Sequence, residues 1–143
     1  MAPSQVWTDT LEPRRPAIGG HPVTVFCVDD QAAVREAVRA VIAHTSGFIQ
    51  IGEAASGEDA ISALAMLRPD LVLMDVHLPG IDGFEATSRL LDADRDLVVA
   101  LMSADPIAPP AGFAPPAGRV RFVPKGRLCP RRLRDLWQAR PPG

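Results

Sequence analysis

The stretch Leu71 to Gly83, LVLMDVHLPGIDG, constrains this chain more than any other. Four apolar residues lead directly into Asp75, and Pro79, Gly80, Asp82 and Gly83 crowd the eight positions after it. A short apolar run bounded by turn residues suits a strand covered on both faces, as in a parallel sheet. Such a strand delivers Asp75 to its carboxyl end, where open α/β sheets hold their ligand crevice. A lone aspartate there also fits a simple loop cap, so its role depends on what the other strands bring to the same place.

The pattern recurs along the chain. Val23 to Val28, VTVFCV, is apolar and β-branched and ends in the acidic pair Asp29 and Asp30. From Gln31, Ala33, Val34, Ala37, Val38, Val41 and Ile42 recur at helical spacing, closing near Gly47. Phe48 to Ala54 reads as a strand, with Ser56 and Gly57 in a turn. A helix is predicted over Glu58 to Leu67, stopped by Pro69, which cannot continue it. After the opening stretch come an amphipathic segment, Phe84 to Leu91, and an apolar strand, Leu97 to Met102, ending at Ser103. Arg119 to Val123 reads as a fifth strand, Pro124-Lys125-Gly126 as a turn, and Pro130 to Ala139 as a last helix with Leu133, Leu136 and Trp137 on one face.

Alternating strands and helices predict a parallel sheet with helices on both faces. Beyond that alternation the chain reads as free of internal repeats. One interval breaks the rhythm: Asp105 to Gly118, DPIAPPAGFAPPAG, where a helix is due but five prolines forbid a regular one. An irregular loop with room for a short helical turn is expected.

Composition sets the outer bounds. The chain has 143 residues, suited to one domain with one core. Fifteen basic against seventeen acidic residues give a net charge of −2, which points to neither nucleic acid nor membrane as a partner. Cys27 and Cys129 form neither a disulfide framework nor a metal-binding spacing, in keeping with a reducing cytoplasm. No apolar run approaches a membrane span, and the first residues do not resemble an export signal. Residues 1–21, rich in proline and glycine, read as a flexible leader before a folded domain over 22–140.

The strand ends would bring together Asp29 and Asp30, Asp75, Ser103 and Lys125. Three carboxylates in one place repel each other unless a cation stands among them. An oxygen-only donor set suits magnesium, with manganese as a substitute, and leaves room for a phosphate oxygen. The lysine and the hydroxyl suggest an anion beside the metal. A carboxylate so placed is a competent nucleophile for in-line phosphoryl transfer.

Taken together, these residues resemble the receiver domain of bacterial two-component response regulators, over about Pro22 to Ala139. The resemblance implies a flavodoxin-like, doubly wound five-stranded parallel sheet of order 2-1-3-4-5, with the proline-rich segment in place of a regular fourth helix. It implies that Asp75 accepts a phosphoryl group from a histidine kinase or phosphotransfer protein, in a self-catalysed reaction. Magnesium would be held by Asp29, Asp30, Asp75 and the backbone carbonyl of His77. Ser103 would be the switch hydroxyl, with the small Ala104 beside it, Phe122 the aromatic that changes rotamer, and Lys125 the phosphate partner. The loop Leu78-Pro79-Gly80 and Asp82-Gly83 matches the family's tight turn after the acceptor.

A downstream protein target, a homodimer through the face that the family builds from its fourth helix, the neighbouring strand and the last helix, and a cytoplasmic location are further implications of the resemblance. Only eighteen residues follow Lys125, so no DNA-binding output domain is expected in this chain, which would be a single-domain regulator or the receiver portion of a longer one. The broken fourth helix leaves a rival reading, a receiver-shaped interaction module that phosphate does not control. An aspartyl-phosphate hydrolase is disfavoured because the Asp-x-Asp arrangement is absent at Asp75-Val76-His77.

Overall fold

The structure, a computed structural model, describes residues 21–140; the expected leader lies almost wholly outside them. Five strands, β1 (Val23–Val28), β2 (Phe48–Ala54), β3 (Leu71–Asp75), β4 (Val98–Ser103) and β5 (Val120–Pro124), form one sheet. All pairings are parallel, in the order β2-β1-β3-β4-β5. Four helices accompany them: α1 (Ala32–Ala43), α2 (Gly57–Leu64), α3 (Gly83–Ala93) and α4 (Pro130–Gln138). No helix among the described residues is long and apolar enough to cross a membrane.

The period of two along each strand divides the core in half. Val25, Cys27, Leu71, Leu73, Val98, Ala100 and Met102 face one layer, closed by Val38 and Ile42 of α1 and Leu133 and Leu136 of α4. Phe26, Val28, Val72, Met74, Val99 and Leu101 face the other, closed by α2 and α3 through Ala60, Phe84, Leu90 and Leu91. β3 is buried at every position, as its unbroken apolar run predicts. Trp137 lies at the edge of the first layer, half-buried, with the Arg140 guanidinium 4.1 Å above its ring.

Helix α2 is shorter than its periodicity predicts. It stops at Leu64, and the amides of Met66 and Leu67 both turn back to the Ala63 carbonyl, at 3.0 and 2.9 Å. Pro69 disfavours helical geometry just before it, and the chain must reach β3 by Leu71, so the last turn unwinds and Met66 stands exposed.

The crossover from β4 to β5 holds no helix, only the expected irregular loop without the short helical turn it had room for. The segment instead repeats a five-residue unit, APPAG, at 108–112 and 114–118, a repeat too short to register against the strand-helix alternation. Each copy makes the same turn. The Phe113 amide donates to the Pro110 carbonyl and the Arg119 amide to the Pro116 carbonyl, both at 3.1 Å. The glycine of each unit takes the positive φ such turns require, 88° at Gly112 and 78° at Gly118. Between the two turns Phe113 packs edge-on against Phe84, with ring centroids 5.1 Å apart. This single aromatic supplies the core contact a fourth helix would have made.

Candidate functional site

Strand β1 ends by placing Asp29 under the carboxyl edge of the sheet, β3 places Asp75 beside it, and the turn after β5 brings in Lys125. Asp29 and Asp75 are buried, at 0% and 1% exposure. Two buried carboxylates need a cation, and the Lys125 ammonium lies 3.0 Å from Asp29 Oδ2 and 3.2 Å from Asp75 Oδ2. The other oxygens are held by backbone amides: Gln31 donates to Asp29 Oδ1 at 2.9 Å and His77 to Asp75 Oδ1 at 3.1 Å.

Burial, and then the charge of Asp29, push the Asp75 carboxyl above its ordinary range, against the pull of the His77 amide and Lys125. Burial alone would lower the Lys125 pKa, but the attraction of the Asp29 and Asp75 carboxylates outweighs it and the ammonium titrates above its usual value. Cys27, two residues before Asp29, is no candidate nucleophile. Burial first, and then Asp29 and Glu53, push its thiol up to about 12.

A divalent ion fits these residues. Asp29, Asp30 and Asp75 each offer an oxygen within 4.8 Å of the others. Asp29 Oδ2 is sealed from solvent, and the ammonium stands off the hydrogen-bonding direction, leaving that oxygen without a donor. Hard oxygen ligands around an under-neutralised carboxylate match magnesium-type coordination. The Arg35 guanidinium fixes the adjacent backbone by donating to the Asp29 carbonyl at 2.8 Å.

The loop from Val76 to Asp82 is fitted tightly to β3. At Gly83 a Cβ would collide with the Asp75 carbonyl, so only glycine lets α3 start this close to the acceptor strand. The Gly83 amide donates to the Val76 carbonyl at 2.8 Å, and Asp82 caps α3 by accepting from the Glu85 amide at 2.9 Å. The His77 side chain is exposed, and its carbonyl takes no hydrogen bond among the described residues.

The remaining predicted residues surround this centre without touching it. Ser103, at the end of β4, directs its hydroxyl to the Asp105 carbonyl at 2.6 Å, so the hydroxyl is engaged with the proline-rich segment. Ala104 follows it, exposed. Phe122 turns outward, 54% exposed, beside a cavity of about 390 Å³ lined by Leu101, Ser103, Ala104, Ile107 and Val123. Sequence reasoning passed over Glu58, which reaches the loop after β3 from α2, because nothing in its own neighbourhood signals a partner twenty-three residues away.

A sheet of this order with acids at the mouths of β1 and β3 and a lysine after β5 has a counterpart among known families. Residues 25–136 match the model of the response regulator receiver domain. The chain belongs to that family. It is 36% identical over 104 residues to the response regulator GacA of Pseudomonas aeruginosa, covering 73% of this chain and 49% of that protein. It is 32% identical to the response regulator UvrY of Escherichia coli K12, covering 73% of this chain and 48% of UvrY. The chain thus spans about half the length of the curated relatives it matches. A crystal structure of a LuxR-family two-component response regulator from Aurantimonas superposes with a TM-score of 0.71 at 30% identity, over 82% of this chain and 84% of the other. The receiver is flavodoxin-like, and its place is in two-component signalling.

Proposed function

We propose that Asp75 is the phosphoacceptor of this receiver, and that it takes its phosphoryl group from the phosphohistidine of a sensor kinase or phosphotransfer protein. The observation that carries the reading is the Lys125 ammonium bridging two buried carboxylates, Asp29 and Asp75. An Asp75 oxygen attacks phosphorus in line. The O–P bond forms as the P–N bond of the donor breaks, and the electron pair returns to the donor imidazole. Magnesium, held by Asp29, Asp30, Asp75 and the His77 carbonyl, would neutralise charge on the phosphoryl oxygens.

Lys125 supports this role because its stem already carries the ammonium to the acceptor. Once the phosphoryl group is in place the ammonium pairs with it, leaving Asp29 to the metal. Ser103 exchanges its bond to Asp105 for one to the phosphoryl group, Ala104 leaves that approach clear, and Phe122 turns into the adjacent cavity. The altered face of β4 and β5 is then read by a downstream protein. Acetyl phosphate or beryllofluoride with magnesium tests the chemistry. With acetyl phosphate the wild-type chain gains the phosphoryl mass and Asp75→Asn does not, and beryllofluoride occupies the site in the wild type alone; identical behaviour of the two would overturn the assignment.

A second reading, a receiver-shaped interaction module outside phosphate control, is favoured by the missing helix between β4 and β5. It fails if beryllofluoride with magnesium changes oligomeric state or hydrogen exchange in β4 and β5.

A further inference from the structure

We propose that Glu58 is a positioning residue for the Asp75 site, holding the tip of the loop from His77 to Asp82 so that its backbone is fixed beside the acceptor. The inference rests on the reading of Asp75 as phosphoacceptor and adds a residue on a different element.

Glu58 Oε2 accepts the Ile81 amide at 3.1 Å. Its carboxylate stands where a Cβ on Gly80 would be, and Gly80 has a φ of 76° that favours glycine in any case. The residue before it, Gly57, is equally close. A Cβ there would lie 2.9 Å from Ile81 Cγ1 and 3.0 Å from the Ala86 Cβ. The first turn of α2 and the loop are therefore built in contact at two successive residues, each allowed by a missing side chain.

The loop's other ties are local. Gly83 bonds back to Val76 at the base, and Asp82 bonds forward to Glu85 in α3. Among the described residues, Glu58 is the only residue outside the flanking elements β3 and α3 that hydrogen-bonds to residues 77–82. The N-cap of α2 is supplied separately, by Ser56, which accepts the Asp59 amide at 3.1 Å. The amide of Glu58 itself and then that of Ile81 hold the Glu58 carboxyl below the usual range, so it is an acceptor throughout the neutral region.

The loop carries the His77 amide that binds Asp75 and the His77 carbonyl assigned to the metal. Releasing its tip loosens both without removing either. The experiment compares Glu58→Ala and Glu58→Gln in the full chain, reading manganese affinity by calorimetry, the acetyl phosphate rate constant with magnesium, and thermal stability in EDTA. Glu58→Ala should weaken manganese binding and slow phosphorylation by roughly tenfold, the lower end for loss of an outer-shell partner, with a melting temperature close to wild type. Glu58→Gln keeps an acceptor oxygen and should recover most of both.

Wild-type metal affinity and rate in Glu58→Ala would overturn the role of Glu58 alone, as would a Gln variant no better than Ala. A wild-type chain that acetyl phosphate modifies no more than it does Asp75→Asn would overturn the Asp75 reading and this one together.

Discussion

Lys125 balances two carboxylates that burial has stripped of water, and its removal should be felt first in stability. Lys125→Ala leaves Asp29 and Asp75 facing each other uncompensated, a situation that costs about 3 kcal/mol when one partner of a buried pair is lost. Denaturant titration in EDTA should show that loss, and added magnesium should restore part of it. Asp75→Asn should act in the opposite direction. The folded carboxyl titrates above its unfolded value, so the unfolded chain ionises first. Its contribution to stability is therefore complete below the unfolded pKa and is lost as the pH rises through the folded one. In EDTA near neutral pH the Asn variant should melt higher, by about 1 kcal/mol or about 4 °C. The gain should vanish as the pH falls below about 4. The acids and the lysine were legible in the sequence because the acids follow directly on apolar runs that read as strands and the lysine sits in the turn that closes the last strand. Glu58 was not, since its meaning comes from a loop packed against α2 and not from its neighbours in sequence. The Ser103 hydroxyl was legible as a residue but not in its present partner, which depends on how the following segment folds back.

The proline-rich crossover is the element in which this receiver departs from a regular helix count. Its irregularity could be read from its prolines. Its duplicated turn and its anchor could not, because a single aromatic in a loop carries no periodic signal and only packing against Phe84 gives it a role. Phe113→Ala should cost about 2 kcal/mol, less than a fully buried phenylalanine because Phe113 is only half-buried. Urea unfolding should show a lower midpoint with unchanged slope. Gly112→Ala should cost about 1 kcal/mol from its positive φ alone, since the space around it is open. Proline limits the freedom this segment has when unfolded, which explains how a stretch with two internal turn bonds keeps a defined path. The overrun in α2 has a similar origin. Apolar spacing continues to Leu67, but the approach to Pro69 and β3 decides where the helix stops.

Across the molecule, a parallel sheet with helices on both faces followed from the alternation of strands and helices, and the strand order from the resemblance, while the state of the β4-β5 face followed from neither. Binding to the folded state alone raises stability by about 2.7 kcal/mol at a hundredfold excess over Kd. Magnesium should therefore raise the melting temperature of the wild-type chain, and Asp29→Asn with Asp30→Asn should abolish the rise; an equal shift in that double variant would place the ion elsewhere. The helix-free crossover has a consequence for motion. β5 joins the sheet through β4 alone, and its link back to β4 is a stiff strap pinned at one aromatic instead of a packed helix. Elements with few tertiary partners open at lower free energy than the core. The outer strand therefore forms a seam whose amides should exchange faster than those of β3, and the ammonium that balances the acids is mounted just past that seam. Occupying the site with an anion would tighten the seam as well as reshape a face.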